Sequence, residues 1–105
     1  MAAIQSLYVT AQPVVATRVG VNDADYTAAS GETYIGMVAL SANRTITLAA
    51  ARTGQRLTIK DESGACSSTK TITVNGTIDG QTSRVIATAY GALSMYYNGN
   101  AWSEV

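Results

Sequence analysis

Apolar and polar residues alternate along three stretches of the chain: Thr45-Ile46-Thr47-Leu48, Arg56-Leu57-Thr58-Ile59-Lys60 and Lys70-Thr71-Ile72-Thr73-Val74. A period of two, rich in β-branched residues, marks a strand with one buried face. The pattern predicts Ile46, Leu48, Leu57, Ile59, Ile72 and Val74 in a core. The interleaved threonines and charges then point to solvent or to a neighbouring chain. Asn75-Gly76, Asp79-Gly80 and Asn98-Gly99 are turn dipeptides, because Asn, Asp and Gly accept positive φ at little cost. Asn98-Gly99 separates Leu93-Ser94-Met95-Tyr96-Tyr97 from Ala101-Trp102-Ser103-Glu104-Val105 and predicts a hairpin. Ser41-Ala42-Asn43 and Ser63-Gly64 are further turns. Leu48-Ala49-Ala50-Ala51-Arg52 has helix-forming alanines but stops at Thr53-Gly54, so it reads as a loop. Strand-sized runs recur every ~8–12 residues, the spacing of an all-β sandwich or barrel. No internal repeat is visible.

The first third differs. Ile4-Gln5-Ser6-Leu7-Tyr8-Val9 and Val14-Val15-Ala16-Thr17-Arg18-Val19 are strand-like and flank Gln12-Pro13, where proline suits an edge or a break. This segment reads either as an arm that pairs with another chain or as an ordinary edge hairpin. The expected division is an arm or edge hairpin over residues 1–22 and a β-domain over 23–105.

Composition narrows the function classes. The 105 residues suffice for one small domain. Seven basic and seven acidic residues cancel, and the sequence pI is near 6.1. That balance argues against a nucleic-acid clamp or a polybasic membrane binder. No apolar run approaches the ~20 residues of a membrane-spanning helix. The chain has no histidine and one cysteine. Catalytic pairs built on imidazole, histidine-ligated zinc, four-sulfur sites and an intrachain disulfide are therefore all excluded. The N-terminus lacks the features of a secretion signal, which predicts synthesis in a cytoplasm. Only 13% of residues are charged, against a typical ~25%, so threonine, serine, asparagine and glutamine must supply the polar surface. Such a surface is common where much of it meets other subunits.

Candidate chemistry is sparse. Asp23 and Asp25 are spaced like the start of a calcium loop, but the glycine and closing glutamate of that pattern are missing, so a solvated loop is expected. Asp61-Glu62 is an adjacent carboxylate pair at a turn, where both groups are expected in water rather than in acid–base work. Gly54-Gln55-Arg56 and Gly76-Thr77-Ile78-Asp79-Gly80 are too sparse to cradle phosphate. Cys66 lies in a serine-rich loop without a histidine base. Lys60 or Lys70 would lower its pKa if close, and otherwise the thiol is inert. Tyr90, Tyr96, Tyr97 and Trp102 cluster near the C-terminus. Aromatics with polar handles favour interfaces, so Tyr90, Tyr96 and Trp102 are the candidate subunit or receptor surface. Tyr96 and Tyr97 must point to opposite faces of their strand. No cofactor site and no enzyme activity are expected.

Five pieces, in order, resemble a β-structured module of bacteriophage virion proteins. They are Asp23-Ala24-Asp25-Tyr26-Thr27, Asn43-Arg44-Thr45-Ile46-Thr47-Leu48, Gly54-Gln55-Arg56-Leu57-Thr58-Ile59-Lys60-Asp61-Glu62-Ser63-Gly64, Ile72-Thr73-Val74-Asn75-Gly76-Thr77-Ile78-Asp79-Gly80 and Tyr97-Asn98-Gly99-Asn100-Ala101-Trp102. Ala101 departs from the polar residue common in that family. The resemblance implies a compact antiparallel β-sandwich or barrel-like knob that forms homotrimers in tail fibres, head fibres or capsid-decorating proteins. In fibres the module normally follows an attachment domain, whereas here it makes up nearly the whole chain. The expectation is a trimeric capsid-decoration (cement) protein of the virion, assembled in the host cytoplasm. The arm residues Ile4, Leu7, Tyr8, Val9, Val14 and Val15 would hold the major capsid protein or another virion protein. The alternative is a small tail-fibre or head-fibre tip that binds cell-surface glycan. A host-encoded adhesive domain and a small enzyme are the remaining classes. Nucleic-acid binding and membrane insertion are not expected.

Overall fold

The computed structural model describes residues 18–105, which form nine strands and no helix. In chain order these are β1 (Arg18–Asn22), β2 (Tyr26–Ala28), β3 (Tyr34–Ala39), β4 (Arg44–Leu48), β5 (Arg56–Asp61), β6 (Ile72–Ile78), β7 (Gln81–Ile86), β8 (Ala92–Tyr97) and β9 (Trp102–Glu104). Alternate strands pair side by side and parallel. β1, β3 and β5 form one row, and β2, β4 and β6 form the other. A chain that alternates between two parallel rows is winding as a coil, each turn contributing one strand to each row. The fold is therefore all-β and solenoid-like, with rungs that stack on their neighbours. Two hairpins finish it. Asp79 and Gly80, both at positive φ, turn β6 back into β7. Asn98-Gly99 turns β8 into β9. β8 pairs antiparallel with β5, and β9 touches β6 at Ile78 and Trp102, so one continuous path links the two rows.

The expected antiparallel sandwich or barrel is corrected by this topology: five of the eight strand pairings are parallel. A buried face alternates with period two in either kind of pairing, so the pattern alone could not separate them. The winding also escapes a search for a fixed repeat. Arg18 aligns with Tyr34, Tyr26 with Ile46, Tyr34 with Thr58 and Arg44 with Ile72, so successive offsets are 16, 20, 24 and 28 residues. Asn75-Gly76 is likewise not a turn. It lies inside β6, where the register with β7 shifts, and Gly76 has Leu48 packed where a side chain would begin.

The predicted core residues face inward. Ile46, Ile59, Ile72 and Val74 are wholly buried, Leu57 nearly so, and Leu48 packs at the margin. Ile35, Met37, Leu93 and Met95 complete the row opposite Ile78 and its neighbours. Burying such a side chain contributes about 1.5–3 kcal/mol. The segment expected as an arm or edge hairpin is described only from Arg18 onward. There β1 pairs with β3 of its own chain, and Val21 joins the core. Ile4, Leu7, Tyr8, Val9, Val14 and Val15 lie outside the described residues.

The corners carry a short repeat. Ala29-Ser30-Gly31-Glu32 and Arg52-Thr53-Gly54-Gln55 have the same construction. Gly31 and Gly54 sit at φ 93° and 89°. The Glu32 carboxylate accepts the Ala29 N–H at 2.9 Å, and the Gln55 side-chain oxygen accepts the Arg52 N–H at 3.0 Å. The Gln55 amide then donates to the Glu32 carbonyl oxygen at 2.8 Å, linking one rung to the next. Glu32 and Gln55 are both buried, so these bonds replace water that cannot reach the backbone. The Tyr26 hydroxyl donates to Glu32 as well, and that bond pushes the phenol up to about 12.

Gln55→Ala removes one donor and one acceptor and leaves the Arg52 N–H and the Glu32 carbonyl without them. The expected loss is about 1–3 kcal/mol of stability, with the β-rich circular dichroism spectrum retained. Thermal melting of the two proteins measures it, and an unchanged midpoint contradicts the corner's structural role.

Candidate functional site

The outward face of the first row is built by register. Arg18, Tyr34, Thr58 and Ser94 lie across β1, β3, β5 and β8, and the next outward row is Gly20, Gly36, Lys60 and Ala92. Arg56 faces Tyr96, which in turn faces Ser103 of β9. The Thr58 and Ser94 hydroxyls lie 3.0 Å apart. Three tyrosines on or beside this face each have a cation near the ring. Arg18 is 5.7 Å from the Tyr34 centroid, Arg56 is 5.3 Å from Tyr96, and Lys60 is 5.8 Å from Tyr90. Such contacts contribute roughly 0.5–1 kcal/mol each at exposed sites.

Each group is held from beneath. Glu62 lies over Gly36, where a Cβ would fall 2.4 Å from its carboxyl carbon. From there Glu62 accepts the Tyr34 hydroxyl at 2.9 Å and pairs with Arg18. Burial, with this bond added, pushes the Tyr34 phenol up. Tyr90 is 60% exposed, yet its backbone is fixed in the left-handed region at φ 59°. It occupies the third position of a turn closed by the Gly91 N–H on the Thr88 carbonyl. A non-glycine residue there costs about 1–2 kcal/mol. Its ring covers Gly64, where a Cβ would meet the ring carbon Cζ at 2.4 Å.

Asp61 is the anchor of this arrangement. The reading that it sits in water is overturned, since it is wholly buried. One carboxylate oxygen accepts the Ser63 N–H and hydroxyl. The other accepts the Cys66 N–H at 3.0 Å and the Tyr90 N–H at 3.1 Å. Lys60 donates to the Tyr90 carbonyl. Burial pulls the Asp61 carboxyl upward, but the bonds from Ser63, Cys66 and Tyr90 outweigh it and hold the group below its ordinary value. Cys66 is buried beside it. Burial, and then the Asp61 charge, push the thiol up to about 11, which leaves it inert at neutral pH.

The other sequence candidates separate. Tyr96 and Tyr90 reach the face described. Trp102, assigned to a subunit or receptor surface, is only 4% exposed and packs in the chain's own core with its ring 5.2 Å from that of Tyr97. It is inward because it pairs with Tyr97, not Tyr96, across the hairpin. Asp23 and Asp25 serve as corner caps. Asp23 accepts the Ser41 N–H and hydroxyl and binds Arg44, and Asp25 accepts the Thr45 N–H. The Ser41 bonds, with Arg44 assisting, lower the Asp23 carboxyl to about 2. Among the described residues no three His, Cys, Asp or Glu side chains gather as a metal site. Among the described residues, open clefts of about 180 Å³ and about 160 Å³ lie beside Arg84 and Glu104 and beside Tyr97 and Ala101. Both fall short of the ~300–1,000 Å³ of ordinary ligand pockets. Tyr34 stands alone in sequence, far from the C-terminal aromatic cluster, and so does not signal a face by composition. Its alternation with Ile35 and Met37 marks it as outward.

Asp61→Asn turns an amide N–H₂ toward two of the four donors. It is expected to cost about 2–3 kcal/mol at pH 7. The folded-state carboxyls of Asp61 and Asp23 lie below their ordinary value of 3.8. Their contribution is therefore complete above that value and is lost as pH falls below it, for Asp23 toward about 2. Urea melts from pH 7 to pH 2 should show the difference between wild type and Asp61→Asn shrinking across that window. A constant difference contradicts an ionised Asp61.

No family model and no curated protein matches the chain, so its function is read from these side chains.

Proposed function

We propose that the chain is a non-catalytic structural module of a bacteriophage virion, acting as a trimeric capsid-decoration protein. One observation carries the docking part of this reading. The broad outer face of the first row holds Tyr34, Tyr90 and Tyr96 in position, a form that suits contact with a macromolecular surface. The virion assignment rests on the five-piece resemblance from Asp23 to Trp102. The arm residues Ile4, Leu7, Tyr8, Val9, Val14 and Val15 are proposed to reach the major capsid protein and to pair with it by strand addition. A protein that binds only the assembled shell stabilises that state by linkage. The low charge of the chain fits a surface shared between sister subunits and shell.

The test is the copy number of this chain relative to the major capsid protein in purified particles. A ratio approaching one is expected. A few copies per particle, or none, overturns the decoration reading.

A further inference from the structure

The sequence holds two Asn-Gly pairs, Asn75-Gly76 and Asn98-Gly99, and the fold gives them opposite settings. Both asparagines are exposed, so water reaches both. Asn75 lies inside β6, paired with Thr47 of β4 on one side and Ser83 of β7 on the other, and Leu48 packs over Gly76. Asn98 lies beyond the ladder, in the turn between β8 and β9. Its backbone N–H donates to the Ala101 carbonyl oxygen at 3.1 Å and closes the turn. Its side-chain oxygen accepts the Asn100 N–H at 2.9 Å and the Ala101 N–H at 3.1 Å. To reach those two groups the carboxamide folds back over the peptide bond that joins Asn98 to Gly99, which brings its carbon beside the Gly99 nitrogen. Among the described residues no acceptor takes the Gly99 N–H. Gly99 also has no Cβ to shield that nitrogen.

We propose that Asn98 is a site of spontaneous covalent modification, and that its conversion to isoaspartate loosens β9. The Gly99 nitrogen gives up its proton to solvent and attacks the Asn98 Cγ. The new N–C bond closes a five-membered succinimide ring, and the carboxamide nitrogen takes up a proton and leaves as ammonia. Water then adds to either ring carbonyl and breaks its bond to nitrogen. Opening at Cγ gives aspartate, and opening at the main-chain carbonyl carbon gives isoaspartate. The step needs only water and the chain itself. The Asn100 and Ala101 N–H groups point at the oxygen on which negative charge develops as the ring closes, the arrangement of an oxyanion hole. The turn also holds the reacting atoms together, which lowers the ordering cost of ring closure. At Asn75 the ladder must open before the ring can form. The remaining asparagines, Asn22, Asn43 and Asn100, precede residues whose side chains shield the attacking nitrogen. Isoaspartate inserts a methylene into the main chain of the turn, which shifts Trp102 out of register with Tyr97. β9 has three residues, and Trp102 is the one it buries in the core. Aspartate leaves the main chain and both acceptor bonds in place.

Incubation of the full chain at mildly alkaline pH, followed by peptide mapping with mass detection, tests it. The exchange of ammonia for water marks each conversion, and an isoaspartyl methyltransferase labels the isoaspartate form. In the native chain Asn98 is expected to convert at least about tenfold faster than Asn75. In urea the ladder is gone, and the two rates should converge because Asn75 accelerates. Asn98→Ser should abolish the fast conversion and leave the slow one. The aged chain should melt below Asn98→Asp, a variant that carries the new charge without the extra methylene. Equal rates at Asn98 and Asn75 in the native chain overturn the proposal. So does an Asn98 rate that rises in urea as much as that of Asn75, because the turn would then shield the site. An aged chain rich in isoaspartate that melts with Asn98→Asp overturns the loosening of β9.

Discussion

The fold depends on side-chain oxygens that accept backbone N–H groups at the corners of the coil. A parallel ladder satisfies the backbone only where two strands run side by side, and every turn of a coil must leave its ladder twice. Here Asp23 accepts Ser41, Asp25 accepts Thr45, and Asn43 accepts Thr71, each bond reaching from one rung to the next. On the opposite side Glu32 and Gln55 cap their own corners at Ala29 and Arg52, and the Gln55 amide donates to the Glu32 carbonyl of the preceding rung. The rungs therefore remain stacked although each is longer than the last. A coil with irregular corners and no such caps would leave its turn amides to water and its rungs free to slip.

Asp61 extends this principle to the outer face of the first row. It ends β5, spans the loop to Cys66 and captures the Tyr90 N–H from the turn before β8. One buried carboxylate thus ties three segments together and sets an exposed aromatic at a fixed height above the sheet. The backbone strain at Tyr90 is maintained by these bonds. The use of acidic groups as internal acceptors also has an electrostatic consequence. A chain with no net charge presents Arg56 and Lys60 on one face with no ion pair of their own, beside the Glu62–Arg18 pair.

The strands and core were legible in the sequence because alternation reports burial directly. Alternation places Ile46, Leu57, Ile59, Ile72 and Val74 in the core, and positive-φ chemistry marks the Asp79-Gly80 turn and the Asn98-Gly99 hairpin. Parallel pairing was not legible. Neighbours in the coil are separated by a growing number of residues, and alternation carries no information on strand direction. The Asp61 anchor was hidden because an acidic residue at a strand end ordinarily points to water. The alternation that buries Leu57 and Ile59 nonetheless turns Asp61 inward, and the Ser63 that follows closes a small turn on its carboxylate. Trp102 was misplaced because a three-residue strand offers too little alternation to fix which face it buries.

Amide hydrogen exchange of the native chain tests the corner account most directly. The amides of Ser41, Arg52, Thr71, Cys66 and Tyr90 bond to side-chain oxygens and lie outside the strands. The account predicts that they exchange slowly, with protection comparable to strand amides such as that of Ile59. Exchange of these five amides at the rate of open loops, while the strands stay protected, would contradict it.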